Sequence, residues 1–408
     1  MLDVSALRRQ FPALQQQQAG RPLVYLDGPG GTQVPQPVLD ALVEYLTTSN
    51  ANVGGPFLTS QRSDRVLREA HAAVADLLHA PSPDEVVFGQ NMTSLTFHLS
   101  RSLARTWKPG DAIVLTRLDH DANVRPWMLA AEDAGVEVRL VEVTPDGRLD
   151  EADLARKLTG PVRLFAFTCA SNSIGTMPDV PRLVRLGHAA GALVYLDAVH
   201  YAPHGVIDVQ AWECDFLACS AYKFFGPHVG ILWGRRALLE ELTAYKVRPA
   251  PQAPPGKWMT GTQNHEGIAG TAAAIDYLAS LGQGSTRRER LLSAFAAIRA
   301  HETTLLRQLL DGLRRRPAWK VWGLTADADL PQRAPTLAIT HATRSAREVA
   351  AALAEHGICA WAGNFYAVEI AQAFGVESRG GFLRLGLVHY NTADEVERTL
   401  AALDMLTP

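Results

Sequence analysis

The stretch Ala218-Cys219-Ser220-Ala221-Tyr222-Lys223-Phe224-Phe225-Gly226-Pro227-His228-Val229-Gly230-Ile231-Leu232-Trp233-Gly234 sets one lysine among aromatic and apolar residues. Apolar runs flank it, Asp215 to Ser220 before and Gly230 to Gly234 after. Both read as buried strands. An ammonium loses hydration in such a place unless it is paired or covalently modified. Burial also lowers the pKa of an amine, which makes it a better nucleophile toward a carbonyl. Lys223 is therefore either a solvated turn residue or a reactive amine, and the rest of the chain has to decide.

Upstream the same strand signal repeats. Apolar runs occur at Val86 to Phe88, Ile113 to Leu115, Val136 to Val143, Val162 to Thr168 and Leu193 to Leu196. Helical patterns separate most of them: Ser94 to Thr106, Val124 to Ala134, Glu151 to Leu158 and Val180 to Ala190. Strands apolar on both faces that alternate with helices predict a mostly parallel sheet covered on both sides. This is an α/β pattern. Ligands of such sheets sit at the carboxyl ends of the strands.

Those ends carry polar clusters. Gly89-Gln90-Asn91-Met92-Thr93-Ser94 leads into a helix and suits an anion such as a phosphate, or simply caps the helix. Asp119-His120-Asp121-Ala122-Asn123, Ser171-Asn172-Ser173, Asp197-Ala198-Val199-His200 and Ser220-Ala221-Tyr222-Lys223 follow the next strands. Asp197 ends the apolar run Leu193-Val194-Tyr195-Leu196, where a carboxylate needs a cationic partner to offset desolvation. A protonated pyridine nitrogen would serve. With a lysine Schiff base, that pairing is the electronic core of pyridoxal phosphate chemistry. A metal site built from Asp119, His120, Asp121, Asp197, His200 and His204 is the competing reading. It shows no HExxH or cysteine framework and leaves Lys223 unexplained.

The 408 residues are 47 % hydrophobic and 20 % charged, with net charge −3, an ordinary globular mixture. That balance gives no reason to expect nucleic acid or an anionic membrane as partner. The four cysteines form no CxxC pair, and buried reduced thiols in a cytoplasmic protein are the expectation. No signal peptide is visible at Met1-Leu2-Asp3-Val4, and no apolar run is long enough to span a bilayer. The division expected is an N-terminal arm at 1–22, a large cofactor-binding domain at 23–267, and a small α+β domain with a linker helix at 268–408. Before the sheet, a strand is expected at Leu23 to Leu26 and helices at Val38 to Thr47 and Ser63 to His79. After it come long helices near 268–281 and 289–314. The tail reads as strands at 336–340, 358–361 and 382–387 with helices at 346–356 and 393–406.

These pieces resemble the class V aminotransferase group of fold-type I pyridoxal phosphate enzymes, and within it the cysteine desulfurases. The matching stretches are Tyr25-Leu26-Asp27, Asn50-Ala51-Asn52-Val53, Asn91-Met92-Thr93, Asp119 to Asn123, Ser171-Asn172 with Gly175, Leu196 to His200, Ser220 to Lys223, Gly261-Thr262-Gln263-Asn264 and Arg384 to Thr392. They are collinear and span nearly the whole chain. The resemblance implies a large domain with a mostly parallel seven-stranded sheet. It implies that Lys223 holds pyridoxal 5'-phosphate as a Schiff base and that Asp197 pairs with the ring nitrogen. His120 would stack on the ring and relay protons. Asn172 and His200 would meet its phenolic side, where the desulfurases usually have glutamine in place of His200. Met92 (through its backbone), Thr93, Ser220 and Tyr222 would hold the phosphate, with histidine usual in place of Tyr222. Thr262 would reach the phosphate of a neighbouring subunit's cofactor, which implies a homodimer with shared sites. Arg384 would clamp the substrate carboxylate, a task suited to the bidentate guanidinium.

The departures concern the substrate. The desulfurases carry a loop cysteine that takes the sulfur as a persulfide. Its position falls on Tyr366 in Gly357-Ile358-Cys359-Ala360-Trp361-Ala362-Gly363-Asn364-Phe365-Tyr366-Ala367. Cys359 lies earlier, in an apolar run, and reads as a buried thiol. Asn52-Val53-Gly54-Gly55 has glycines where the desulfurases have His and Arg, which leaves room for a larger substrate. Asn52, Tyr366 and Arg384 are the substrate-side candidates. The first expectation is a lyase that cleaves a C–S or similar Cβ–X bond of an amino acid by β-elimination, with Lys223 as the base. An aminotransferase or an amino-acid epimerase, with Tyr366 as a second proton donor, remains open beside it. So does a non-catalytic cofactor-binding protein.

Overall fold

Val86, Val87 and Phe88 point alternately to opposite faces of a sheet, and both faces are buried. Phe216, Leu217, Ala218 and Cys219 repeat the alternation at its centre. This double burial is why these runs lack the polar half of an amphipathic strand. The computed structural model describes residues 2–406. Met1 of the expected arm and Thr407 and Pro408 of the expected small domain lie outside the described residues.

The elements run as follows. β1 is Val24–Tyr25, then come α1 (Gln36–Thr48), α2 (Leu58–Leu78), β2 (Val86–Gly89), α3 (Met92–Ala104) and β3 (Ala112–Thr116). α4 (Arg125–Ala134), β4 (Glu137–Val141), α5 (Glu151–Lys157), β5 (Val162–Thr168), α6 (Val180–Ala189) and β6 (Leu193–Asp197) continue the alternation. β7 (Phe216–Ser220) and β8 (Gly230–Gly234) close the sheet. The strand order is β2-β8-β7-β6-β5-β3-β4, and only β8 runs antiparallel to its neighbours. The seven runs read from the sequence are these seven strands, with ends moved by one or two residues. α2 starts five residues before the expected Ser63, because Leu58 to Arg62 continue the helix.

α7 (His265–Ser280) packs on α1 and α2. α8 (Arg287–Arg314) opens with a capping box between Thr286 and Glu289 and bridges two cores. Its first half, with Leu291, Phe295 and Ile298, packs in the large core. Its second half, with Leu305, Leu309 and Leu313, packs on the C-terminal sheet. That sheet has the order β9-β10-β13-β12, all antiparallel, from β9 (Trp319–Trp322), β10 (Thr336–His341), β12 (Trp361–Gly363) and β13 (Phe382–Gly386). α9 (Ala346–Glu355), α10 (Val368–Ala373) and α11 (Ala393–Asp404) complete the C-terminal part. β9 was not expected. β11 (Ile358–Cys359) leaves this sheet and pairs in parallel with β1, so the expected 358–361 strand is two short ones. Val24 and Leu26 consequently share a core with the C-terminal helices. Phe11 packs edge-on against Tyr277 and Tyr390 and ties the N-terminal segment to the large core. Among the described residues no helix is long and apolar enough to cross a membrane.

Candidate active site

Five strands of the large sheet deliver their carboxyl ends to one cavity. It is lined by Met92 and Thr93 after β2, His120 after β3, Asn172 after β5, Asp197 and His200 after β6, and Ser220, Tyr222 and Lys223 after β7. Register explains the convergence. Asp197 lies opposite Thr168 on one side and Ala218 on the other, at the middle of the sheet. Gly230 pairs with both Ser220 and Gly89, which aligns the ends of β7 and β2. A Cβ on Gly230 would come within 2.4 Å of the Asn91 backbone, so only glycine lets the start of α3 lie this close to β8.

That helix start resolves the two readings of Gly89 to Ser94. Asn91 and Ser94 form a reciprocal capping box, with Ser94 N–H donating to Asn91 Oδ1 at 2.9 Å. The Thr93 hydroxyl takes no part in it. Met92 N–H donates to Ser220 Oγ at 3.1 Å, which brings two phosphate-type donors together at the helix N-terminus. The Tyr222 ring is stacked on His228 with centroids 4.9 Å apart, which holds its hydroxyl side of the cavity in place.

Lys223 Nζ donates to the Pro29 carbonyl and stands 4.7 Å from the centroid of the Tyr222 ring. Burial pushes its pKa down to about 7, nearby Arg384 pushes the same way, and Asp197 opposes them. Asp197 Oδ1 accepts the Val199 N–H at 2.8 Å, and its other oxygen takes no hydrogen bond from the described residues. Burial raises its carboxyl to about 6, against the Val199 N–H and Lys223. A buried acid with one free oxygen and a half-buried amine with a lowered pKa share this cavity, a combination that marks functional sites.

His120 is fixed from behind. Asp119 accepts from Thr116 Oγ1 and from Asn123 Nδ2 at 2.8 Å, and Asn123 in turn accepts from Trp127 Nε1 at 3.0 Å. His120 Nδ1 accepts the Ala122 N–H at 3.0 Å, so its proton sits on Nε2. Burial lowers its pKa to about 4, helped by Lys223 and Arg384.

A second, outer chamber of about 720 Å³ opens above the first. Pro29, Gly30, Phe97, Arg125, the segment Trp361 to Tyr366, and Arg384 join His120, Asn172, Tyr222 and Lys223 around it. Arg384 is buried on β13. It donates from Nη1 to the Asn172 carbonyl at 2.9 Å and lies 4.1 Å over the Phe365 ring. Its Nε has no partner, and it forms no ion pair among the described residues. Burial lowers its pKa to about 9, opposed by Asp27. A buried guanidinium with an open donor is a receptor for a carboxylate.

Phe365 and Tyr366 both hold left-handed backbone angles, φ +58° and +57°, which non-glycine residues rarely adopt. Three hydrogen bonds hold them there. Asn172 Nδ2 donates to the Phe365 carbonyl at 2.9 Å, Asp121 N–H to the Tyr366 carbonyl at 2.7 Å, and Tyr366 N–H to Asn364 Oδ1 at 3.1 Å. The strained turn lays the Tyr366 ring against His120, centroids 5.5 Å apart, while leaving Tyr366 71 % exposed.

Two sequence candidates stand elsewhere. Asn52 Oδ1 accepts from the Val53 N–H at 2.9 Å on an exposed loop outside both chambers. Thr262 lines a separate cleft with Gln90, Ser94 and His98. Cys169, Cys214 and Cys219 are buried and free. Cys359 is half-buried rather than buried, on β11 facing Gln18 and Trp361, and does not line the Lys223 cavity. Residues not singled out from the sequence also line the site. Phe365 was readable as part of a matched stretch, whereas Pro29, Phe97 and Arg125 gave no signal.

The family model for aminotransferase class-V matches residues 24–399. A cysteine desulfurase of Dickeya dadantii is 32 % identical over 415 residues, covering 98 % of this chain and 96 % of the relative. A probable cysteine desulfurase of Streptomyces coelicolor is 32 % identical over 423 residues, covering 99 % and 97 %. The apo structure of a cysteine desulfurase from Thermococcus onnurineus superposes with a TM-score of 0.88 at 25 % identity, covering 100 % of this chain and 98 % of that one. A cysteine desulfurase structure from Escherichia coli gives 0.85 at 27 %, covering 99 % and 98 %.

Proposed function

Because the chain belongs to the aminotransferase class-V family, whose members use pyridoxal phosphate, we propose that it is a lyase that cleaves the C–S bond of cysteine or a cysteine derivative by β-elimination. The observation that carries the cofactor assignment is the pairing in one cavity of Lys223, an amine with a lowered pKa, and buried Asp197, one of whose oxygens takes no hydrogen bond from the described residues. Bound there, pyridoxal phosphate supplies an aldehyde for Lys223 and a ring that accepts electrons from the substrate Cα. Asp197, with its free oxygen, would hold the ring nitrogen as a cation. Ser220, Thr93 and the Tyr222 hydroxyl would hold the phosphate at the α3 N-terminus, with the Met92 N–H donating to Ser220 Oγ and orienting that hydroxyl. Asn172 and His200 would meet the phenolic side.

Arg384 binds the substrate carboxylate through its open donor. That anchors the Cα near Lys223, whose lowered pKa leaves its amine free to take the Cα proton near neutral pH. The C–S bond breaks with its electron pair on sulfur, and a proton then returns to the thiolate. With one water consumed, the products are the thiol, pyruvate and ammonium. His120, neutral and with its proton on Nε2, is placed to relay a proton at the chamber wall.

Tyr366 distinguishes this reaction from sulfur transfer to the protein. A phenol forms no persulfide, and the half-buried Cys359 thiol, raised to about 11 by burial, lies outside the cavity. The sulfur therefore leaves with the product. Thr262, exposed outside the chamber, serves the phosphate of a neighbouring copy, so the enzyme works as a homodimer with shared sites. A cytoplasmic location suits its free thiols.

The test is a product assay on the cofactor-loaded protein with cysteine and S-substituted cysteines. Pyruvate and ammonium in equal amounts support the lyase. Alanine plus zero-valent sulfur, read as sulfide after reduction by an added dithiol, at a comparable rate would show desulfuration despite the missing thiol and overturn it.

A further inference from the structure

Behind His200 the cavity wall continues into the core as a chain of ionisable groups that the proposed reaction does not use. His200 Nε2 is 3.0 Å from Thr336 Oγ1 on β10, which leaves Nδ1 as its unclaimed polar atom. Its ring lies edge-on to His204, centroids 5.2 Å apart. His204 Nδ1 is 2.9 Å from Glu302 Oε2 in the middle of α8. The two side chains are 2 % and 1 % exposed, and Glu302 Oε1 is sealed from solvent with no partner.

A carboxylate this deep is costly unless a cation meets it, and His204 is the base in contact with it. The His204 ring lies toward His200 and the cavity, and the Glu302 carboxyl lies farther back in the core. Nothing in the packing of α8 demands it. The neighbouring inward positions, Ile298 and Leu305, are aliphatic and would extend the core without it. The ionisable groups around the device are few. Burial holds His200 well below its usual range, and neighbouring His204, Arg384 and Lys223 push the same way. His389 of the C-terminal segment is near both His204 and His301.

We propose that His204 and Glu302 are positioning residues for the cofactor, a buried dipole whose positive end, behind His200, faces the phenolic side of pyridoxal phosphate and lowers the pH at which the bound cofactor gives up its proton. This rests on the cavity being the pyridoxal phosphate site. A positive charge nearby makes any group harder to protonate. Removing either end abolishes the dipole.

The measurement is a pH titration of the visible absorption of the cofactor-loaded protein. Glu302→Gln is expected to raise its midpoint by about 0.5–1 pH unit. His204→Asn is expected to raise it similarly. The double variant should shift no further than either single one, because the two residues act as a unit. A purely structural pair would lower the melting temperature and leave the midpoint in place. Midpoints within about 0.2 units of the parent in both single variants, with full cofactor occupancy, would overturn the inference. If one variant fails to fold, the other gives the reading. A parent protein that takes up no pyridoxal phosphate would overturn the cofactor assignment and this inference together, and that result appears before any variant is made.

Discussion

The inner cavity and the outer chamber share His120, Asn172, Tyr222 and Lys223, yet they are built from different material. The inner one rests on five strand ends of a sheet buried on both faces. Its groups are held by register and by hydrogen bonds among neighbours, as with Asp197 and Val199. The outer one is made from segments far apart in sequence, the Pro29-Gly30 turn and the run from strand β12 into the turn at Tyr366, with Arg384 behind them. Trp361 and Tyr366 are 56 % and 71 % exposed. On the proposed function, the rigid part holds the groups for cofactor chemistry, and the outer part holds the groups that meet the substrate. Changing a loop residue alters what is processed without dismantling how.

The contrast can be broken by substitution, and the largest effect belongs to the inner cavity. Lys223→Ala should lose the visible band of the bound cofactor and about a thousandfold or more of turnover. Retention of that band in the absence of added amine would remove Lys223 from its place. The same residue sets a pH dependence. An ordinary lysine is a free amine only above about pH 10. With its pKa lowered to about 7, Lys223 in the apoprotein should capture pyridoxal phosphate at a rate that rises through pH 7 and levels off above it. A rate still climbing at pH 9 would mean that the amine is not depressed.

At the junction of the two regions, Arg384→Lys should raise KM roughly 10–100-fold with kcat little changed, because the ammonium cannot reproduce the flat two-point clamp. An equal fall in kcat would instead place Arg384 in the chemical step. The smallest effect should come from the outer wall. Tyr366→Phe keeps the stack on His120 and should change kcat/KM of elimination by less than about threefold, since one exposed phenol contributes little binding energy. A loss of more than a hundredfold would make the phenol a proton donor. That result would move the protein toward epimerase-type chemistry.

The inner site was legible in the sequence because its signals are local. An apolar run that ends in Asp197, or in Ser220 with Lys223 three residues on, places those groups at the end of a strand. The outer chamber was legible only by resemblance, through Arg384 and Tyr366. Pro29, Phe97 and Arg125 are ordinary loop and helix residues until the chain folds. Asn52 shows the opposite limit, since its loop match carries no information on distance from Lys223.

The sequence by itself determined the α/β sheet, the strand ends that carry polar groups, the lysine and acid of the proposed cofactor site, and the absence of a thiol at position 366. Periodicity and burial are local properties of a strand or helix, so a linear reading captures them. Only the tertiary structure decided that β8 runs against its neighbours and that β11 joins β1. It also lowered the Lys223 pKa and set His204 and Glu302 in line behind His200. Those depend on residues up to hundreds of positions apart sharing one low-dielectric volume, a relation that spacing along the chain does not encode.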